Sequence, residues 1–174
     1  PQFPVDTFTV RAKSRLVMTL VEHLQSLRLS LNNYQAEIEK LFKQHPDASW
    51  IDSLPGSGPQ NGPRLLVELG DNRDRYDSPD RLQCEAGTCP VTKSSGKMQF
   101  VSIRRSCRKP FRDTMQQFSF CSLAKSSWAR DLYDHQRAKG HSNPSALRAV
   151  GDKWLKIISH LWKEKKEYNE DIFL

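Results

Sequence analysis

Nowhere does this sequence run apolar for long enough to cross a bilayer, and no secretory leader is recognisable at its start. A membrane class is therefore not expected; a soluble, cytoplasmic protein is. The first residue is Pro1 rather than Met, so a piece of a longer protein is expected. Cysteine is scarce, at Cys84, Cys89, Cys107 and Cys121. Four thiols in 174 residues make no disulfide framework, and reduced thiols are expected. The Cys84-x4-Cys89 spacing is too wide for a zinc pair and no histidine pair follows, so no metal site is expected. Internal repeats and low-complexity segments are absent too.

Acidic residues are missing from one stretch. Between Lys93 and Arg112 there is no Asp or Glu, while Lys93, Lys97, Arg104, Arg105, Arg108, Lys109 and Arg112 supply +7. The whole chain also carries +7: residues 1–53 balance to zero, 54–92 to −2 and 113–174 to +2. Positive charge gathered in one place is the footprint of phosphate binding. The plain alternative is a solvated basic loop.

Val17, Leu20, Leu24, Leu27, Leu31, Tyr34, Ile38 and Leu41 alternate spacings of three and four. That heptad stripe predicts a long helix that pairs as a coiled coil, or packs on its own domain, and is closed by Pro46. "LPGSGPQNGPRLLVELGD" then predicts a tight turn entering a helix. Gly56, Ser57 and Gly58 would offer backbone N–H groups beside a helix N-terminus, as in a helix-hairpin-helix element that tracks nucleic-acid backbone. An ordinary interhelical loop fits the same residues. Asp71, Asp74, Asp77 and Asp80 recur every third residue, but Asn72, Ser78 and Pro79 mark turns, where Asp is common without a metal.

Residues 81–110 show no helical stripe in the middle, and "MQFVSI" alternates as a short strand or hairpin does. Helix periodicity returns at Phe111, with Met115, Phe118 and Leu123, and ends near Gly140. A last helix opens at Ser142 or Asn143 with Pro144 in its first turn. Its Leu147, Val150, Trp154, Ile157, Ile158, Leu161 and Trp162 read as core.

Ser95 precedes Gly96 at the head of the basic run. A serine that attacks phosphate needs exposure, a proton acceptor and cations to hold the phosphoryl charge. Exposure and cations are in the pattern. The acceptor is not, because His23, His45, His135, His141 and His160 all lie far away in the chain.

"LPGSGPQNGPRLLVELGD", "AGTCPVTKSSGK", "RRSCRKPFRDTMQQFSF" and "RAKGHSNPSALRAVGDKWLKIISHLW" follow one another in order. Together they resemble the carboxy-terminal half of the insertion-sequence DEDD transposases, the bridge-RNA-guided recombinases, from about residue 11 to the end. The resemblance implies a mostly α-helical fragment: a coiled-coil segment over 1–50, then a compact transposase domain over 51–174 with a hairpin turn and one small β-hairpin. In that family a serine in a Pro-x4-Ser-Gly setting attacks DNA. Pro90 to Gly96 fits that setting here, which makes Ser95 the implied nucleophile, with the adjacent Ser94 second. The implied activity is RNA-guided cleavage and exchange of DNA strands through a phosphoserine link. The implied partners are target and donor DNA, a guide RNA, and further copies of the chain as a dimer or tetramer through the coiled coil, in a prokaryotic cell and on its nucleoid when active. Nucleic-acid contacts would fall on Gly56, Ser57, Gly58 and the seven basic residues of the run. The family's Mg²⁺ belongs to an amino-terminal RuvC-like domain that is not in these residues, so no cofactor is expected in this fragment, nor recombination by it alone. Many members carry glycine where Cys107 stands. A non-catalytic nucleic-acid-binding and oligomerisation module is the alternative reading.

Overall fold

The computed structural model describes residues 6–96 and 98–172. The chain divides into two units, residues 1–41 and 42–174. The fold is mostly α-helical, with seven α-helices and one two-stranded antiparallel sheet among the described residues. None of the helices found there is long and apolar enough to cross a membrane.

Residues 7–41 of the first unit are helical. Helix α1 (Thr7–Lys43) has 37 residues, a length of about 55 Å at 1.5 Å per residue. Asp6 starts it: its carboxylate accepts the Phe8 N–H and the Thr9 hydroxyl. The helix stops three residues before Pro46, which cannot continue it. All eight stripe residues from Val17 to Leu41 are exposed on this single chain, between half and two-thirds of their full area.

The second unit contains the core. Short α2 (Ala48–Asp52) turns through Gly56 and Gly58 into α3 (Gly58–Leu69). A one-turn 3-10 helix (Arg73–Arg75) and α4 (Pro79–Ala86) follow. Strands β1 (Pro90–Ser95) and β2 (Met98–Ile103) make the hairpin, and α5 (Lys109–Ser122), α6 (Ser127–Ala138) and α7 (Asn143–Glu164) complete the unit. Helix α7 packs against α4, α5 and α6, and α3 packs on α5. The α7 stripe predicted as core is buried at every position from Leu147 to Trp162. Gly151 admits α5 closely: a Cβ there would sit 2.8 Å from the Ser119 hydroxyl.

The helical run expected from Phe111 to Gly140 is two helices. Ser126 leaves helical geometry at φ −120°, and the Glu170 carboxylate accepts from the Ser126 and Ser127 hydroxyls and the Ser127 N–H. Those bonds satisfy the first turn of α6 from outside. Helix α4 lies where no stripe is visible. Its signals were Ser78 before the start, Pro79 and Asp80 in the first turn, and Gly87 in the left-handed conformation at the end.

The aspartates of 71–80 serve turns and ion pairs. Asn72 caps the 3-10 turn by accepting the Asp74 N–H, and Asp80 occupies the first turn of α4. Buried Asp47 accepts both oxygens' worth of bonding from Arg73 at 2.5 Å, and that guanidinium lies 4.8 Å over the Trp162 ring. Burial alone would raise the Asp47 carboxyl, but the Arg73 hydrogen bonds and charge outweigh it and hold the group below its ordinary 3.8. A depressed carboxyl contributes stability above its ordinary pKa and loses it as pH falls through the folded value. Arg73→Met is therefore expected to cost about 2 kcal/mol at pH 7 in a urea titration, with the gap to wild type closing as the pH drops below 3.8.

Candidate active site

The hairpin determines where the candidate serine stands. Its register pairs Ser95 with Met98, Ser94 with Gln99, Lys93 with Phe100 and Val91 with Ser102. Gly96 turns the chain at φ +56°, a left-handed conformation that suits glycine. Partners directly opposite share a face, and faces alternate along a strand. One face therefore carries Val91, Lys93, Ser95, Met98, Phe100 and Ser102. The other carries Thr92, Ser94, Gln99 and Val101. Ser94 and Ser95 are adjacent in sequence but point to opposite sides. Both are exposed, as are Met98, Phe100 and Val101. Among the described residues, the Ser95 hydroxyl has no hydrogen-bond partner. Lys97 lies outside the described residues.

The arginines gather at the other end of the hairpin. Arg75, Arg81, Arg104 and Arg108, with Tyr76, Cys84, Glu85, Ser106 and Cys107, line an open cleft of about 500 Å³. Five residue steps separate Pro90 at the foot from Ser95 at the tip, a span of roughly 17 Å. The basic run is thus divided: Lys93 stands beside the serine, whereas Arg104 and Arg108 stand at the foot. Arg105 and Lys109 are exposed on the segment leading into α5.

Arg75, Arg104, Arg108 and Arg112 have internal partners; Arg75 lies 3.5 Å from Glu85 and over the Tyr76 ring, and Arg104 bonds the Cys89 sulfur. Arg108 pairs with buried Glu68 at 2.8 Å and lies 3.7 Å from Glu85. Glu85 also accepts the Tyr76 hydroxyl at 2.9 Å. Burial, then that bond to the carboxylate, push the Tyr76 phenol up to about 12, so it remains a donor. Arg112 donates to the Arg104 carbonyl. Arg81 is exposed, and among the described residues no acid pairs with it.

In the Gly56–Gly58 turn, Gly56 and Ser57 are buried and only Gly58 is exposed. A Cβ on Gly56 would meet the Phe118 carbonyl at 2.5 Å, so this glycine allows the turn to pack on α5. Gly58 has open space around it at φ +80° and leads into the α3 N-terminus.

Residues 48–134 match the model of the transposase family IS116/IS110/IS902. The chain belongs to that family. The match covers the arginine cleft and the whole hairpin, and it ends inside α6. A Streptomyces coelicolor protein of the IS117 mini-circle is 27% identical over 154 residues. The 42 kDa protein of insertion element IS900 from Mycobacterium paratuberculosis is 26% identical over 160, and the 43.6 kDa protein of IS110 from Streptomyces coelicolor is 25% identical over 154. Each alignment takes in 88% of this chain but only 37–39% of the relative, so the chain spans well under half the length of these proteins.

Within this family chain, three residue sets escaped the sequence reading. Arg75 and Arg81 join the cleft from outside the basic run; their signal was charge without local acid-free density, which composition windows miss. Met98 and Phe100 share the Ser95 face, which only the register reveals. Cys84 and Cys89 meet at 3.1 Å. The hydrogen bond with Cys89, then burial, hold the Cys84 thiol above its ordinary value, and the Arg104 Nε donates to the Cys89 sulfur at 3.2 Å.

One cluster has the composition of a metal site. His45, Asp47 and Asp71 place ligand-type atoms within 4.8 Å of one another. The arrangement does not fit a cation such as Mg²⁺. Arg73 already neutralises Asp47, the Asp47 N–H donates to His45 Nδ1, and Nε2 donates to Asp71 at 3.2 Å. Both ring nitrogens are occupied and a resident cation sits on the central carboxylate.

Proposed function

We propose that this chain is the serine-bearing, DNA-contacting part of an insertion-element transposase, and that Ser95 attacks a DNA phosphate to form a phosphoserine link during strand exchange. Support comes above all from Ser95 standing exposed at the tip of a projecting hairpin whose foot carries the arginine cleft, all within the family match. Arg75, Arg81 and Arg104 would hold backbone phosphates at the foot. The exposed Gly58 and the α3 N-terminus would hold another, and Arg105 and Lys109 would extend the contact. The roughly 17 Å from foot to tip matches the rise of about five base pairs, so one duplex segment could reach both ends. Lys93, with Lys97 after it in sequence, would then meet the phosphate that Ser95 attacks. Arg108 and Arg112 would act chiefly by fixing the foot.

The heptad stripe of α1, exposed at every position, would be covered by further copies of the chain. Target and donor DNA, selected through a guide RNA, would be the substrates, and the Mg²⁺-binding groups would lie outside these residues. One observation favours the non-catalytic alternative: the Ser95 hydroxyl lacks a proton acceptor among the described residues. In the catalytic case that acceptor comes from another subunit, another domain or the substrate.

Binding to duplex DNA over a salt series tests the phosphate contacts. Arg81→Ala and Arg104→Ala are each expected to weaken binding on all sequences alike and to flatten the slope of log K against log salt by about 1. Salt-insensitive binding, or no change in either variant, would remove the cleft from the interface.

A further inference from the structure

The half-buried thiols of Cys84 and Cys89 meet at the foot of the hairpin, where Cys84 lines the arginine cleft, and the proposed strand exchange uses neither sulfur. Cys84 lies in the last turn of α4 and Cys89 immediately before β1. Between them Gly87 adopts φ +67°, which folds the chain back so that two side chains five residues apart face each other. Their sulfurs are 3.1 Å apart, and both residues are free thiols. We propose that Cys84 and Cys89 are a site of reversible disulfide formation.

Little movement separates the two states. A disulfide requires about 2.05 Å between sulfurs and side chains directed at each other, and small rotations about the two Cα–Cβ bonds bring the sulfurs together from 3.1 Å. The Arg104 Nε donates to the Cys89 sulfur at 3.2 Å and fixes its position at the foot of the hairpin. Among the described residues no imidazole, carboxylate or third sulfur completes a metal-binding set with this pair. Cys107 packs against Gly87, where its sulfur would lie 2.8 Å from a Cβ on that glycine.

The oxidant is hydrogen peroxide. The Cys89 sulfur attacks one peroxide oxygen, the O–O bond breaks, and the thiol proton leaves with the other oxygen as water. That gives a sulfenic acid on Cys89. The Cys84 sulfur then attacks the Cys89 sulfur, the S–O bond breaks, and the hydroxyl departs with the Cys84 proton as a second water. Two thiols lose two electrons and peroxide gains them. The product ties the foot of β1 to α4 beside Arg104, which bonds the Cys89 sulfur. Arg104 follows Ile103, the last residue of β2, so the bond changes both strands where they join the helices. Its effect on DNA rests on the function proposed above; its formation does not.

The purified chain, reduced and then exposed to a peroxide series, should be alkylated, digested without reductant and mapped by mass. The expected product is a Cys84–Cys89 peptide lighter by two hydrogen atoms, restored by dithiothreitol, with alkylation of both thiols slowed more than tenfold. Cys84→Ser and Cys89→Ser should each abolish it. Exposed Cys121 is the internal standard for oxidation. Cys84 and Cys89 still alkylating freely at peroxide levels that modify Cys121 would overturn the proposal. So would linkage of either to Cys107, or a copurifying zinc ion that protects both. The mapping uses no nucleic acid, so its failure leaves the serine mechanism untouched, and failure of that mechanism leaves the disulfide in place.

Discussion

On the serine mechanism proposed, Ser95→Ala in a full-length transposase of this family carrying these residues is expected to abolish a protein–DNA adduct that survives denaturation. Strand exchange should fall by about 10⁴-fold or more, the scale on which nucleophile removal acts, while DNA affinity stays within about twofold. Three features of the hairpin predict that division. The Ser95 hydroxyl is exposed and bonds no described residue, so its loss leaves no buried group unsatisfied. Its backbone pairing with Met98 does not depend on the side chain. The arginine cleft stands roughly 17 Å away, outside the influence of one hydroxyl. Ser94→Ala is the matched control. Ser94 lies one residue earlier yet on the opposite face, paired with Gln99, and its removal should change the rate less than about threefold. The measurement is a denaturing gel of end-labelled cognate DNA incubated with protein, guide RNA and Mg²⁺. An adduct lost with Ser94→Ala and kept with Ser95→Ala would move the nucleophile to the other face. If no adduct forms with the wild type under recombining conditions, the non-catalytic binding module becomes the better description.

The sequence was most informative where periodicity carried the signal. The stripe from Val17 to Leu41 announced a long helix, and the stripe from Leu147 to Trp162 announced its own burial. Both depend on one helix repeating one face, which a spacing pattern encodes directly. Helix α4 is eight residues long, too short for a stripe, and only its end signals at Ser78, Pro79 and Gly87 were available. The site is harder because it depends on distances between segments. Charge density located the basic run, but a hairpin reverses direction, so Lys93 and Arg104 differ by the length of a strand although the run looks continuous. The Gly56–Gly58 turn shows the same limit. A glycine that frees an N–H for phosphate and a glycine that lets a turn pack on Phe118 are identical in sequence. The family resemblance singled out Ser95 over Ser94, and the register adds the reason that the two are not interchangeable.

Trp154→Ala should have the largest effect on stability, about 3–5 kcal/mol. Trp154 is fully buried on α7, where α5 and α6 converge. Its ring meets Phe118 edge-on at 5.4 Å and lies 4.6 Å from Trp128 and 5.2 Å from Tyr168. Its Nε1 donates to the buried Ser122 hydroxyl at 2.9 Å. Alanine would remove three aromatic contacts, leave a cavity among rings that cannot all collapse into it, and take from Ser122 a donor in a dry site. A domain of this size has a total stability of about 5–15 kcal/mol, so the loss consumes a large share of it. A fall in melting temperature on the order of 10 °C is expected, read by circular dichroism because the substitution removes a fluorophore. Phe100→Ala is the contrasting variant. Phe100 is 63% exposed on the hairpin face that carries Ser95, and its removal should shift stability by no more than about 0.5 kcal/mol. A hairpin with no part in the core is free to present Met98, Phe100 and Ser95 to a partner, because nothing on that face is needed to keep the helices folded. A large loss of stability in Phe100→Ala would show that the hairpin packs on the helices in solution, and the exposed serine face would then cease to be the surface that meets DNA.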